Sequence, residues 1–194
     1  MKFTTSFLFC GFLTLILVPQ RAKSEVILTV QNVGPDVVAT ANGSLNLTAL
    51  TATNAQSSVY MIPDRALVRT GTTPSVQVDR YVTATGPTSL GSGGFIFADS
   101  GTGDRFGVEG QLFDVYDNYV SGTSLSSTAT WNNQSLSTLG LTPGIYSWTW
   151  GSGASADSIT MYVGAVPEPA SFQLLLAVGL IATRFRHRRK PSLC

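Results

Sequence analysis

Between Glu25 and Val166, 53 of 142 residues are Ser, Thr or Gly (17, 19 and 17 respectively). Such polar, uncharged, glycine-punctuated composition suits short strands joined by turns rather than helices. The whole chain is 43% hydrophobic, enough for a packed core. Alternating segments bounded by turn residues recur along it. Val26–Val30 reads as a first strand, and Gly34-Pro35-Asp36 turns it into Val37–Thr40. Asn42-Gly43 is the strongest hairpin signal, with Leu45, Leu47 and Ala49 alternating after it. Ala66–Arg69, Val76–Val82, Gly94–Ala98, Gln111–Tyr116, Ile145–Trp150 and Ser158–Val163 follow as strands, and Ser135–Leu139 as one or two helical turns. The expected fold is all-β: an antiparallel β-sandwich or jelly-roll-like ectodomain of about ten strands, with no disulfide.

Charge narrows the chemistry. Eight of the twelve basic residues lie at the two ends, while residues 25–166 hold ten acids and four arginines, a balance of 4 − 10 = −6. An acidic surface without lysine argues against nucleic-acid binding. The same stretch has no Lys, His or Cys. That removes Ser-His-Asp and Cys-His catalysis, Schiff bases and His/Cys zinc sites. No cofactor is expected, and no enzyme activity.

The N-terminus reads as a signal peptide over residues 1–24. Lys2 precedes an apolar run, Phe7–Val18, which Pro19 and Gln20 break. Ala22 and Ser24 stand at the two positions that signal peptidase reads, so the mature chain starts at Glu25. Twelve residues rise about 18 Å as helix, short of a ~30 Å bilayer core, which favours removal over anchoring.

The C-terminus carries Pro167-Glu168-Pro169, an apolar run from Phe172 to Thr183, and then Arg184, Arg186, Arg188, Arg189 and Lys190 within seven residues. The prolines hold the motif extended, as a protease subsite requires. The run makes a short transmembrane helix that crosses with snorkelling arginines or local thinning. The basic block holds the tail on the cytoplasmic side. This ordered set resembles the PEP-CTERM protein-sorting signal, over residues 166–190. The resemblance implies recognition by exosortase, a membrane-embedded cysteine protease of Gram-negative bacteria that make extracellular polysaccharide. It implies a precursor anchored in the inner membrane, cleaved near the motif and released to the cell surface or extracellular matrix. A structural role in an exopolysaccharide or biofilm matrix follows as an expectation. The segments around Val33–Thr40 and Gly103–Gly164 are similar to ectodomains found ahead of such tails, which supports one domain over 25–165 and implies no activity.

Two internal constellations are candidates. Tyr146, Trp148 and Trp150 fall at i, i+2 and i+4, so a strand puts all three on one face. Exposed, they would stack sugar rings as a carbohydrate-binding module; buried, they are core. Ile145, Ser147 and Thr149 on the opposite face, read as small or polar, point the rings inward. Asp99, Asp104, Glu109, Asp114 and Asp117 cluster within 19 residues. Paired carboxylates hydrolyse glycosides when 5–10 Å apart, but no spacing pairs any two here. Asp99–Asp104 would suit a calcium loop by its oxygens, or a plain glycine-rich turn.

Overall fold

The computed structural model describes residues 24–83 and 85–164. The strands come in chain order as β1 (Glu25–Val33), β2 (Asp36–Gly43), β3 (Thr53–Ser57), β4 (Tyr60–Ile62), β5 (Leu67–Thr70), β6 (Val76–Val82) and β7 (Ile96–Phe97). They continue as β8 (Ser100–Gly103), β9 (Phe106–Glu109), β10 (Leu112–Tyr116), β11 (Leu125–Trp131), β12 (Gly144–Trp150) and β13 (Asp157–Val163). Single 3-10 turns at Pro63–Arg65 and Gly153–Ser155 are the helical elements among the described residues. The all-β expectation therefore holds.

The strands make two sheets, a six-stranded one in the order β12-β13-β1-β2-β11-β8 and a seven-stranded one in the order β3-β6-β10-β9-β5-β4-β7. Pairing is antiparallel with one departure among the described residues: β1 and β13 run parallel, Glu25 opposite Ser158 and Val30 opposite Val163. The antiparallel expectation holds apart from this one pair. A hairpin can join neighbours only antiparallel, whereas strands far apart in sequence are free to pair either way.

The six-stranded sheet follows its sequence alternation. Val26, Leu28 and Val30 of β1, Val37, Ala39 and Ala41 of β2, and Ile159, Met161 and Val163 of β13 all face the core. The other face is wetter and hydroxyl-rich: Thr29, Thr40, Thr128 and Thr102 stand in one row across four strands. One apolar cluster, with Trp131, Trp148, Phe106 and Phe113 among its largest members, draws on both sheets. The buried hydroxyls of Thr70 (β5) and Ser127 (β11), 2.6 Å apart, tie one sheet to the other.

The first expected turn forms and the second expected hairpin does not. The first hairpin turns at Gly34-Pro35, where Gly34 has φ 61°. Asn42-Gly43 instead ends β2. Gly43 lies between β1 and β11, and a Cβ there would drive into the Glu25 carbonyl. The glycine serves a close approach of backbones, not a turn. After it, Leu45 and Leu47 are buried without forming a strand. Ser135–Leu139 makes a single helical turn, the shorter of the two expected lengths, closed by the Leu139 amide on the Ser135 carbonyl at 3.0 Å, and does not extend into a longer helix.

Candidate functional site

The aromatic face of β12 points inward. Trp148 is 0% and Trp150 2% exposed, and Tyr146 is partly buried against the same core. Each indole finds a carbonyl, as a buried Trp requires. Trp148 Nε1 donates to Gly110 O at 2.6 Å and Trp150 Nε1 to Asn46 O at 2.8 Å. The Trp150 ring stacks on Phe113 at 5.0 Å, and Phe113 on Tyr81 at 5.2 Å. Tyr146, Trp148 and Trp150 therefore follow the inward, core reading, and the alternative of an exposed sugar platform falls. The cause is the alternation itself, since the inward positions of a one-sided sheet take the large apolar rings.

The acidic cluster is spread over several separate jobs. Ser100–Gly103 between Asp99 and Asp104 is a strand, neither a calcium loop nor a turn. Asp99 accepts the Asn132 amide at 2.7 Å and Asp104 the Ser126 amide at 2.9 Å, so the two carboxylates fasten the ends of β8 to the ends of β11. Asp117 accepts from the Asn118 side chain. No group of three or more His, Cys, Asp or Glu residues comes together among the described residues.

Glu109 and Asp114 are drawn instead to one arginine. Arg69, buried on β5, donates from Nη2 to Glu109 at 2.8 Å. Its Nε lies 3.1 Å from Asp114 Oδ2, close enough for an ion pair though not aligned as a hydrogen bond. Arg80 of β6 clasps both oxygens of Asp114, at 2.6 and 3.0 Å. This clasp, outweighing the desolvation of Arg80, raises the Arg80 pKa further above its ordinary value. Gly107, opposite Arg69 in the sheet, makes room: a Cβ there would sit 2.5 Å from Arg69 Cγ. Arg105 lies buried nearby and donates to the carbonyls of Thr72 and Pro74. Burial first, and the charge of Arg69 second, lower its pKa.

Arg69 also reaches the surface through Tyr60 on β4. Its Nη1 donates to the Tyr60 hydroxyl, and its guanidinium carbon lies 4.8 Å from the ring centroid. Beyond Tyr60 are two exposed rings, Phe95 at 54% and Phe97 at 61%. Phe97 pairs directly with Tyr60 across the β4–β7 ladder. Ring centroids are 4.9 Å apart for Tyr60–Phe95, 4.7 Å for Phe95–Phe97 and 6.0 Å for Tyr60–Phe97. Sequence reading missed this cluster. One signal was available: Arg69 is one of four bases in 142 residues and sits inside the apolar Leu67-Val68-Arg69-Thr70, a place where a charge needs partners.

Of the processing residues, Ser24 lies directly ahead of β1. Ala22, Pro167, Glu168, Pro169, Arg184, Arg186, Arg188, Arg189 and Lys190 lie outside the described residues, as does the apolar run Phe172–Thr183. No helix among the described residues is long and apolar enough to cross a membrane. Immediately after the last described residue, residues 165–190 match the family model of the PEP-CTERM protein-sorting motif. The chain carries a PEP-CTERM sorting signal. The motif indicates exosortase-dependent sorting of a surface protein, by way of export and a membrane-anchored precursor. The curated proteins and the solved structures yield no match to the chain.

Proposed function

We propose that the chain is an exported, non-enzymatic protein that exosortase releases to the cell surface or matrix, where its β-rich ectodomain has a structural or interaction role in exopolysaccharide or biofilm. The observation that carries this is the sorting motif at residues 165–190, directly behind β13. In this reading signal peptidase cuts after Ser24, so the mature chain begins with the first residue of β1. The apolar run Phe172–Thr183 is a transient transmembrane helix, with Arg184–Lys190 held in the cytoplasm. We further read the two sheets as the layers of a sandwich, supported by one apolar cluster drawn from both. The non-enzymatic reading draws support from Asp114, both of whose oxygens are clasped by Arg80, and from Glu109, one of whose oxygens is held by Arg69.

The test is replacement of Pro167, Glu168 and Pro169 by alanine in the native host, followed by intact mass in membrane, surface and medium fractions. The parent protein is expected outside the cell, starting at Glu25 and ending near Pro167. The variant is expected in the inner membrane with its tail attached. Normal release of the variant would refute the motif as the recognition element.

A further inference from the structure

We propose that the Tyr60–Phe95–Phe97 patch is a binding site for a neutral pyranose sugar. This rests on the exported-surface reading for its setting, though not for its test. Among the described residues, the other exposed large hydrophobic residues are aliphatic: Val33, Val120, Ile145, and Val76 and Val82 at the two ends of β6. Single exposed aliphatics need no explanation, whereas clustered exposed rings do.

The size of the patch limits its occupant. An aromatic side chain presents 150–250 Å², so two rings at 54% and 61% exposure leave roughly 200 Å² open. A stable protein interface needs about 800 Å² per partner. One or two sugar rings match the smaller figure, laying their C–H faces on the aromatic rings. The flanks are polar. The Glu109 carboxylate, 31% exposed, is one guanidinium away from the Tyr60 hydroxyl. It supplies a hydrogen-bond acceptor that sugar hydroxyls can use and an acyl chain cannot.

Charge and rigidity refine the choice. Arg69, Arg80, Glu109 and Asp114 sum to zero, and each is paired within the network. Among the described residues, Arg69 and Arg80 are each held by a carboxylate, so neither guanidinium is free to hold a carboxylated or sulfated sugar. The rings brace one another at 88° and 40°, with Arg69 fixed behind Tyr60. A surface held this way loses little side-chain freedom on binding.

The test uses the full chain in a sugar-free detergent. It is titrated with hexameric cello-, malto-, manno- and galacto-oligosaccharides and with an oligogalacturonate, read by saturation-transfer NMR and calorimetry. At least one neutral series is expected to show transfer to its ring C–H protons. Phe97→Ala and Phe95→Ala should each weaken that sugar about tenfold. Both rings are exposed, so the melting temperature should stay near that of the parent. Ile145→Ala, on the other sheet, should leave binding unchanged. Absence of transfer with all four neutral series overturns the proposal. So does stronger binding of the oligogalacturonate, or equal binding by Phe97→Ala. The variant with Pro167, Glu168 and Pro169 replaced by alanine keeps the sugar site, so failure of sorting and failure of binding are read separately.

Discussion

Asp114→Asn asks how much of the seven-stranded sheet depends on one carboxylate. Asp114 is 2% exposed, gripped by Arg80 at 2.6 and 3.0 Å and approached by Arg69 at 3.1 Å. With Arg105 included, the cluster holds three arginines against two carboxylates, 3 − 2 = +1. The substitution makes that +2 and leaves buried Arg69 with Glu109 alone, beside a second buried guanidinium. Removing one partner of a buried pair costs about 3–5 kcal/mol. Arg80 is a quarter exposed and can recover water, so its share is small and the lower end, ~3 kcal/mol, is expected. That is a large fraction of a total stability of about 5–15 kcal/mol. For a domain of this size each kcal/mol moves the melting temperature by about 3 °C, giving a fall of about 10 °C. Thermal and urea unfolding of the full chain, followed by near-ultraviolet circular dichroism of the buried tryptophans, measures it. Glu109→Gln is the comparison: its side chain is more open and binds the same Arg69, so under ~1 kcal/mol is expected. If Asp114→Asn loses no more than Glu109→Gln, the argument that the buried carboxylate holds this sheet together is wrong.

Gly107→Ala should push Arg69 off its path across the sheet, at about 1–3 kcal/mol, and disorder the Tyr60 ring; urea midpoints and the Tyr60 ring NMR signals report the two effects. Tyr119→Phe removes the acceptor of the buried Leu45 amide at 2.8 Å, at about 1–3 kcal/mol near neutral pH. Desolvation raises the Tyr119 pKa above its ordinary value, so the folded state holds this proton more tightly than the unfolded one. Its contribution is full below about pH 10, the unfolded value, and is lost as pH rises through the folded value. Urea midpoints should therefore fall on the alkaline side for the parent and less steeply for Tyr119→Phe. Tyr81, Tyr116 and Tyr146, raised by the same cause, keep some of the slope, and a parent midpoint flat to strong alkali would contradict the assignment.

Strands that alternate large apolar with polar residues were readable in advance: β1, β6, β10, β12 and β13 lie close to where the sequence puts them. Others were hidden by composition. β11 reads Leu-Ser-Ser-Thr-Ala-Thr-Trp, yet it pairs with both β2 and β8. Its inward positions include Ser127 and Ala129, small residues that carry no hydrophobic signal. β8 reads Ser-Gly-Thr-Gly, because a side chain at Gly101 would collide with the Gly71 carbonyl. The inward turn of the β12 aromatics was legible from the opposite face, Ile145, Ser147 and Thr149, two of whose three residues are polar. The aromatic patch was not, because Tyr60 meets Phe97 only through a pairing across 37 residues, between strands of three and two residues. The arginine network likewise joins β5, β6, β9 and β10 through register, which no single window contains.

The parallel pair β1–β13 is the most distant of these register facts, and it fixes where the sorting tail leaves. Had the two strands been antiparallel, the start of β1 and the end of β13 would share one end of the sheet. Being parallel, they place Glu25 and Gly164 at opposite ends, about 20 Å apart at ~3.3 Å per residue. Gly164 donates its amide to Val30 O at 2.9 Å, so the chain departs near the Gly34-Pro35 turn. Until residue 163 is available, β1 has β2 on one side and an open edge on the other, exposing a row of unpaired backbone groups. Closing that edge brings together residues more than 130 positions apart, the costliest kind of contact to form in loop entropy. The last strand to complete the sheet is thus also the strand from which the sorting signal hangs.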